Sequence, residues 1–158
     1  TVALADEMTR AAGQEVGADE LRAALADGRA MDVWRRMISA QGGDPDADLP
    51  TAAETETVTA DADGHLEHVD ALAVGVAAWR LGAGRARKED PVQAGAGVEL
   101  HVRPGERVSA GQPLMTLHTD TPERFARAQE SLEGAWRISE QAPAAREVVL
   151  DRITAREA

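Results

Sequence analysis

Gly105-Glu106-Arg107-Val108-Ser109-Ala110-Gly111-Gln112-Pro113-Leu114 sets two glycine turns around a very short apolar strand, and its reading decides the second half of the chain. Turns this close together leave no room for a helix. Strands are expected on both sides. Val98-Glu99-Leu100-His101-Val102 precedes the run with Val98, Leu100 and Val102 on one face, and Pro113 to His118 follows it. Further back, Thr55 to Ala60 is β-branched and alternating, Asp61-Ala62-Asp63-Gly64 is a turn, and His65 to Val69 alternates again. Asp70 is placed to cap a helix from Ala71 to about Leu81, ended by Gly82 and Gly84. Thr121 as cap and Pro122 at the first helical position predict a long helix. Its apolar stripe would run through Phe125, Ala128, Leu132, Ala135, Trp136 and Ile138 until Pro143 breaks it, with a last strand over Val148 to Ile153.

The front of the chain has the helical period instead. Val2, Leu4, Ala5, Met8 and Ala12 pattern a helix stopped by Gly13, and Leu21, Ala24 and Leu25 pattern a second stopped at Asp27-Gly28. Met31, Val33, Trp34, Met37 and Ile38 pattern a third. Gln41-Gly42-Gly43-Asp44-Pro45 breaks it. The expected organisation is a helical segment over 1–41, an acidic Gly/Pro linker over 42–50, and a β-rich lobe with two packed helices over 51–158. The fold class is α+β. The chain enters its first helix at Thr1 without an initiator Met, which reads as a fragment.

Composition excludes several functions. A net charge of -11 argues against a nucleic-acid partner and against an anionic membrane surface. No cysteine is present, so disulfides, a thiolate nucleophile and a zinc–cysteine site are excluded. No stretch approaches the ~18 apolar residues of a membrane span, no secretory leader is visible, and a cytoplasmic home is the default expectation. Lys88 is the only lysine among 17 basic residues.

The side chains that carry chemistry elsewhere form no constellation here. His65 and His68 are three apart on an expected strand, which would send them to opposite faces. Although Asp61, Asp63 and Asp70 flank them, no third ligand has metal spacing. His101 and His118 are expected to hydrogen-bond locally. Ser39, Ser109, Ser131 and Ser139 lack a His/Asp partner in sequence, and Asp44, Asp46 and Asp48 lack the glycine and distal glutamate of a calcium loop. There is no P-loop, no nucleophile elbow and no complete dinucleotide fingerprint. Arg85, Arg87 and Lys88 follow a helix end, where an anion site competes with a simpler role: balancing the helix dipole and pairing with Glu89, Asp90 and other acids of this acidic chain. The simpler role is preferred. No catalytic, substrate-binding, phosphate-binding or metal-binding residue is therefore assigned.

The Gly105–Leu114 run has the form of the barrel-sandwich hybrid found in biotinyl and lipoyl carriers, but the sole lysine sits in Arg87-Lys88-Glu89-Asp90 rather than in a carrier motif. A wider set of motifs points elsewhere. Asp27-Gly28-Arg29-Ala30, Met37-Ile38-x-Ala40-Gln41-Gly42-Gly43-Asp44-Pro45, Leu49-Pro50 and Val74-Gly75-x-Ala77-Ala78 come first. Leu81-Gly82-Ala83-Gly84-Arg85-x-x-Lys88-Glu89-Asp90, Gly97, Gly105 to Leu114 and Thr116-Leu117-His118 follow in order. Together they resemble the C-terminal portion of the thymidine phosphorylase and broader pyrimidine-nucleoside phosphorylase family. One departure is Gln93, which stands where the family usually has an acid.

The resemblance implies that 1–41 ends a large α/β domain, and that 51–158 is the C-terminal lobe, α/β-hammerhead and barrel-sandwich-hybrid-like. It implies a parent reaction of reversible thymidine phosphorolysis to thymine and 2-deoxyribose-1-phosphate, with phosphate as co-substrate and no cofactor. The implied partners are the large α/β and small helical domains of the same subunit, in a homodimer. The family's phosphate-binding Lys-x-Ser-Thr-Gly-Gly and base-binding Ser-x-x-Lys motifs are missing from this chain, which alone is expected to be inactive. The alternative is a free-standing binding or scaffold module derived from that domain.

Overall fold

The computed structural model describes residues 1–144, 149–151 and 153. The chain divides into two compact units, Leu49–Arg146 and Thr1–Asp48, the latter grouped with the chain from Glu147 onward. The strand expected over Val148 to Ile153 falls partly outside the described residues.

The first unit contains α1 (Val2–Ala11), α2 (Ala18–Ala26) and α3 (Arg29–Ala40). Thr1 occupies the cap position of α1, but its side chain makes no capping bond. Arg29 ties the α2–α3 corner by reaching Asp27 at 2.8 Å and Glu20 at 2.6 Å. None of the three helices has a buried residue. Leu4, Met8, Leu25, Met31, Val33, Trp34 and Met37 are all exposed, Met8 by 71 % and Trp34 by 43 %.

Among the described residues, the second unit has six strands, two α-helices and one π-helical turn. Its strands are β1 (Glu54–Thr59), β2 (Gly64–Val69), β3 (Gly97–Leu100), β4 (Arg107–Val108), β5 (Pro113–Thr119) and β6 (Trp136–Ser139). They form two antiparallel three-stranded sheets, ordered β1-β5-β3 and β4-β2-β6, and no closed barrel. The helices are α4 (Ala71–Ala78) and α5 (Arg124–Leu132). Asp70 caps α4 as expected, accepting from the Leu72 and Ala73 N–H groups at 2.8 and 3.1 Å.

Two cores result. Ala77, Leu81, Met115, Leu117, Ala128, Leu132 and Ala135 form one, where α4 and α5 cover the first sheet. Ala60, Leu66, Val102, Val108 and Leu114 form the other. β5 serves both because consecutive strand side chains point to opposite faces: Leu114 packs in the second core and its neighbour Met115 in the first. The β1–β5 register slips between Val58 and Thr59, whose partners are Met115 and Pro113, which leaves Leu114 bulged and without a partner on β1.

The long second helix expected from Thr121 is half that length. Thr121 does not cap it: Glu123 holds that position, without a side-chain bond. The helix ends at Leu132, and Gly134 adopts φ +69, a left-handed value that stops it. Trp136 and Ile138 then extend β6 along β2, pairing with Val69 and Leu66. Trp136 packs against both cores. Strand pairing thus overrides the continuing 3.6-residue pattern.

Candidate functional site

The Leu81–Asp90 stretch is organised by a five-residue π-turn, Trp79–Ala83, that continues α4. Leu81 is fully buried in the first core. At Gly82 the chain reverses with φ +117, and a Cβ there would lie 2.9 Å from Cδ of Gln93. Gly82 thus ends the helical run as the sequence predicts.

Gln93 locks this reversal to the end of β5. Its backbone N–H donates to the Gly82 carbonyl at 2.9 Å. Its Oε1 accepts from the Asp120 N–H at 2.8 Å, and its Nε2 donates to Thr121 Oγ1 at 2.8 Å. The buried Thr119 hydroxyl lies 2.7 Å from the Leu81 carbonyl and 3.0 Å from Gln93 Oε1. One proton serves both acceptors, so the shorter bond takes most of it. Gln93, where the chain departs from the family pattern, is thus a three-way polar clasp.

Beside the π-turn lies a cavity of about 450 Å³, lined in part by Trp79, Arg80, Arg85, Asp90, Arg124 and Arg127. Arg80 Nη1 donates to the Arg127 carbonyl at 2.5 Å and lies 3.5 Å from Glu130. Its Nε is buried with no partner among the described residues. Arg124 Nη1 reaches the Arg80 carbonyl at 3.4 Å, and Arg85 Nη1 the Lys88 carbonyl at 3.2 Å. The guanidinium of Arg127 meets no acceptor among the described residues. Four cationic forks around one cavity can hold an anion.

The three cations singled out from sequence separate here. Arg85 lines the cavity, whereas Arg87 and Lys88 do not. The expected side-chain pairing of all three with Glu89 and Asp90 does not form. The Asp90 carboxylate instead accepts from the Arg87 backbone N–H at 2.8 Å, closing a tight turn. Arg80, Arg124 and Arg127 were not singled out from sequence. The three-residue spacing of Arg124 and Arg127 on a helix is a readable signal for one shared face. Nothing in the spacing connects that face to Arg80.

A larger cavity, about 680 Å³, is lined in part by Glu67, His68, Gly105 and Arg137. Arg137 grips Glu67 with two bonds of 2.7 Å each. Hydrogen bonding to that guanidinium holds the Glu67 carboxyl below its ordinary value and raises the Arg137 pKa. The two charges satisfy each other.

Glu67 sits at a bulge between Leu66 and His68 in the β2–β6 ladder. Leu66 and Val69, three apart, consequently pack against the same core. The strict alternation expected to separate His65 from His68 therefore does not hold. His65 Nδ1 lies 3.3 Å from the Glu140 carbonyl, His101 Nε2 lies 2.7 Å from Thr116 Oγ1, and His118 Nε2 lies 3.6 Å from Glu99. Among the described residues no group of three His, Asp or Glu side chains is placed to hold a metal ion. No helix among them is long and apolar enough to cross a membrane. Ser131 and Ser139 hydroxyls donate to backbone carbonyls, and Asp44 accepts from the Asp46 N–H in a local turn.

Residues 65–139 match the pyrimidine nucleoside phosphorylase C-terminal domain family. A thymidine phosphorylase of Mycobacterium tuberculosis is 51 % identical over 153 residues, covering 97 % of this chain and 35 % of that protein. Human thymidine phosphorylase is 37 % identical over 82 % of this chain and 30 % of its own length. An AMP phosphorylase of Natronomonas pharaonis is 39 % identical over 81 % of this chain and 25 % of its own. The chain spans about a third of the length of the curated relatives it matches. It belongs to the thymidine phosphorylase and pyrimidine-nucleoside phosphorylase family, of which it represents the C-terminal portion.

Proposed function

We propose that this chain is the C-terminal part of an enzyme catalysing reversible phosphorolysis of thymidine to thymine and 2-deoxyribose-1-phosphate, and that it supports the active site without carrying it. The observation behind this reading is the first unit. Three amphipathic helices present Leu4, Met8, Leu25, Met31, Val33, Trp34 and Met37 to solvent and have no buried residue of their own. An apolar face of this size is built to be covered. The rest of the subunit, a large α/β domain and a small helical domain, is its cover, and the assembled enzyme is a homodimer.

The family's Lys-x-Ser-Thr-Gly-Gly and Ser-x-x-Lys motifs are missing from this sequence, which supports assigning the chemistry to the covering domains. Incubating the 158-residue chain with thymidine and phosphate should release no thymine. Co-expression with the remaining portion of the subunit should restore phosphorolysis. Enzymatic thymine release by the chain alone would refute the supporting role.

A further inference from the structure

We propose that the cavity between the π-turn and α5 binds a phosphate group, as free phosphate or as a phosphomonoester, through Arg80, Arg85, Arg124 and Arg127. The chain carries a net charge of -11, yet four of its 17 basic residues line this one cavity. Bringing like charges together is unfavourable unless an anion joins them. Asp90 is the acid in the lining, one carboxylate against four guanidinium groups, so the lining stays net cationic. Glu130, 64 % exposed and no nearer than 3.5 Å to Arg80, adds weak neutralisation.

What positions the guanidinium groups is equally informative. Arg80, Arg85 and Arg124 are each held by a backbone carbonyl. A carbonyl fixes the fork without cancelling its charge, and each guanidinium has five N–H donors, so most remain available. Arg80 is partly desolvated, its side chain 27 % exposed and its Nε buried without a partner among the described residues. That cation gains from a counter-ion. Several forks around one space suit a tetrahedral dianion better than a single carboxylate, which one fork satisfies. Trp79 adds an apolar wall for the organic part of a phosphomonoester. The cavity is also large enough for a small ligand.

The test titrates the full 158-residue chain with inorganic phosphate, with ribose 5-phosphate and with acetate, at constant ionic strength. The arginine Nε–H and tryptophan indole NMR resonances report the site. Saturation is expected at roughly millimolar concentration or below for a phosphate ligand, with shifts confined to the four arginines and Trp79. Arg127→Gln and Arg85→Gln should each weaken binding about tenfold, the loss of one charge-assisted hydrogen bond. Neither guanidinium anchors a core element, so both variants should keep the parent spectrum elsewhere. Lys88→Gln, outside the lining, should leave affinity unchanged. Saturation by ribose 5-phosphate alone identifies a phosphomonoester site, and saturation by both ligands a site for phosphate itself. Absence of saturation by either overturns the proposal. So does equal binding of acetate, or a Lys88→Gln effect as large as those of Arg85 and Arg127.

Discussion

Replacing Gln93 by alanine tests whether the polar clasp holds the π-turn in place. The side chain makes one bond from the Asp120 N–H and one to Thr121 Oγ1, at 2.8 Å each. The contact with Thr119 at 3.0 Å adds little, because that hydroxyl has a closer acceptor in the Leu81 carbonyl at 2.7 Å. Two bonds at about 1 kcal/mol each give an expected loss of about 2 kcal/mol. For a cooperative unit on the order of 100 residues, such as Leu49–Arg146, this corresponds to a Tm roughly 8–16 °C lower. Thermal unfolding followed by tryptophan fluorescence reads this unit through Trp79 and Trp136. Gln93→Glu keeps an acceptor of the same reach for the Asp120 N–H and should lose less than the alanine variant. A drop of under about 2 °C for Gln93→Ala would mean that water replaces both bonds, and the clasp argument would fail.

Other consequences are open to measurement. Gly134→Ala forces a Cβ into φ +69 at the junction of α5 and β6 and should cost about 1 kcal/mol, read as a lower urea midpoint with an unchanged slope. The Glu67 carboxyl is held low by its bond to Arg137, and Asp27 is held low by hydrogen bonds from Arg29. Depressed carboxylate values mean that the folded state binds fewer protons than the unfolded one. Both contributions are therefore complete above the ordinary carboxylate range of about 4 and vanish as the pH falls through the lowered values. The Tm difference between the parent and Glu67→Gln should accordingly shrink towards zero on acidification. A difference that persists in acid would show that the Arg137 bond does not depend on the carboxylate charge.

The sequence by itself determined the local events and the family. Asp70 as a cap, Gly82 as the end of the helical run and the turns of Gly105–Leu114 depend on neighbours a few residues away, so they are legible in one dimension. The ordered motifs from Asp27 to His118 were enough for the family, because they need only be present and in sequence. Tertiary structure decided the rest. Trp136 and Ile138 continue a helical stripe in sequence, yet they lie on the edge of β2, since Gly134 breaks the helix and backbone pairing then satisfies the exposed N–H and C=O groups. The Leu114 bulge depends on the slipped register with β1 and is invisible in β5 alone. The same holds for the cationic cavity. Arg80 ends one helix, and Arg124 and Arg127 begin another some forty residues later. Only their packing over a shared core turns scattered charges into one field.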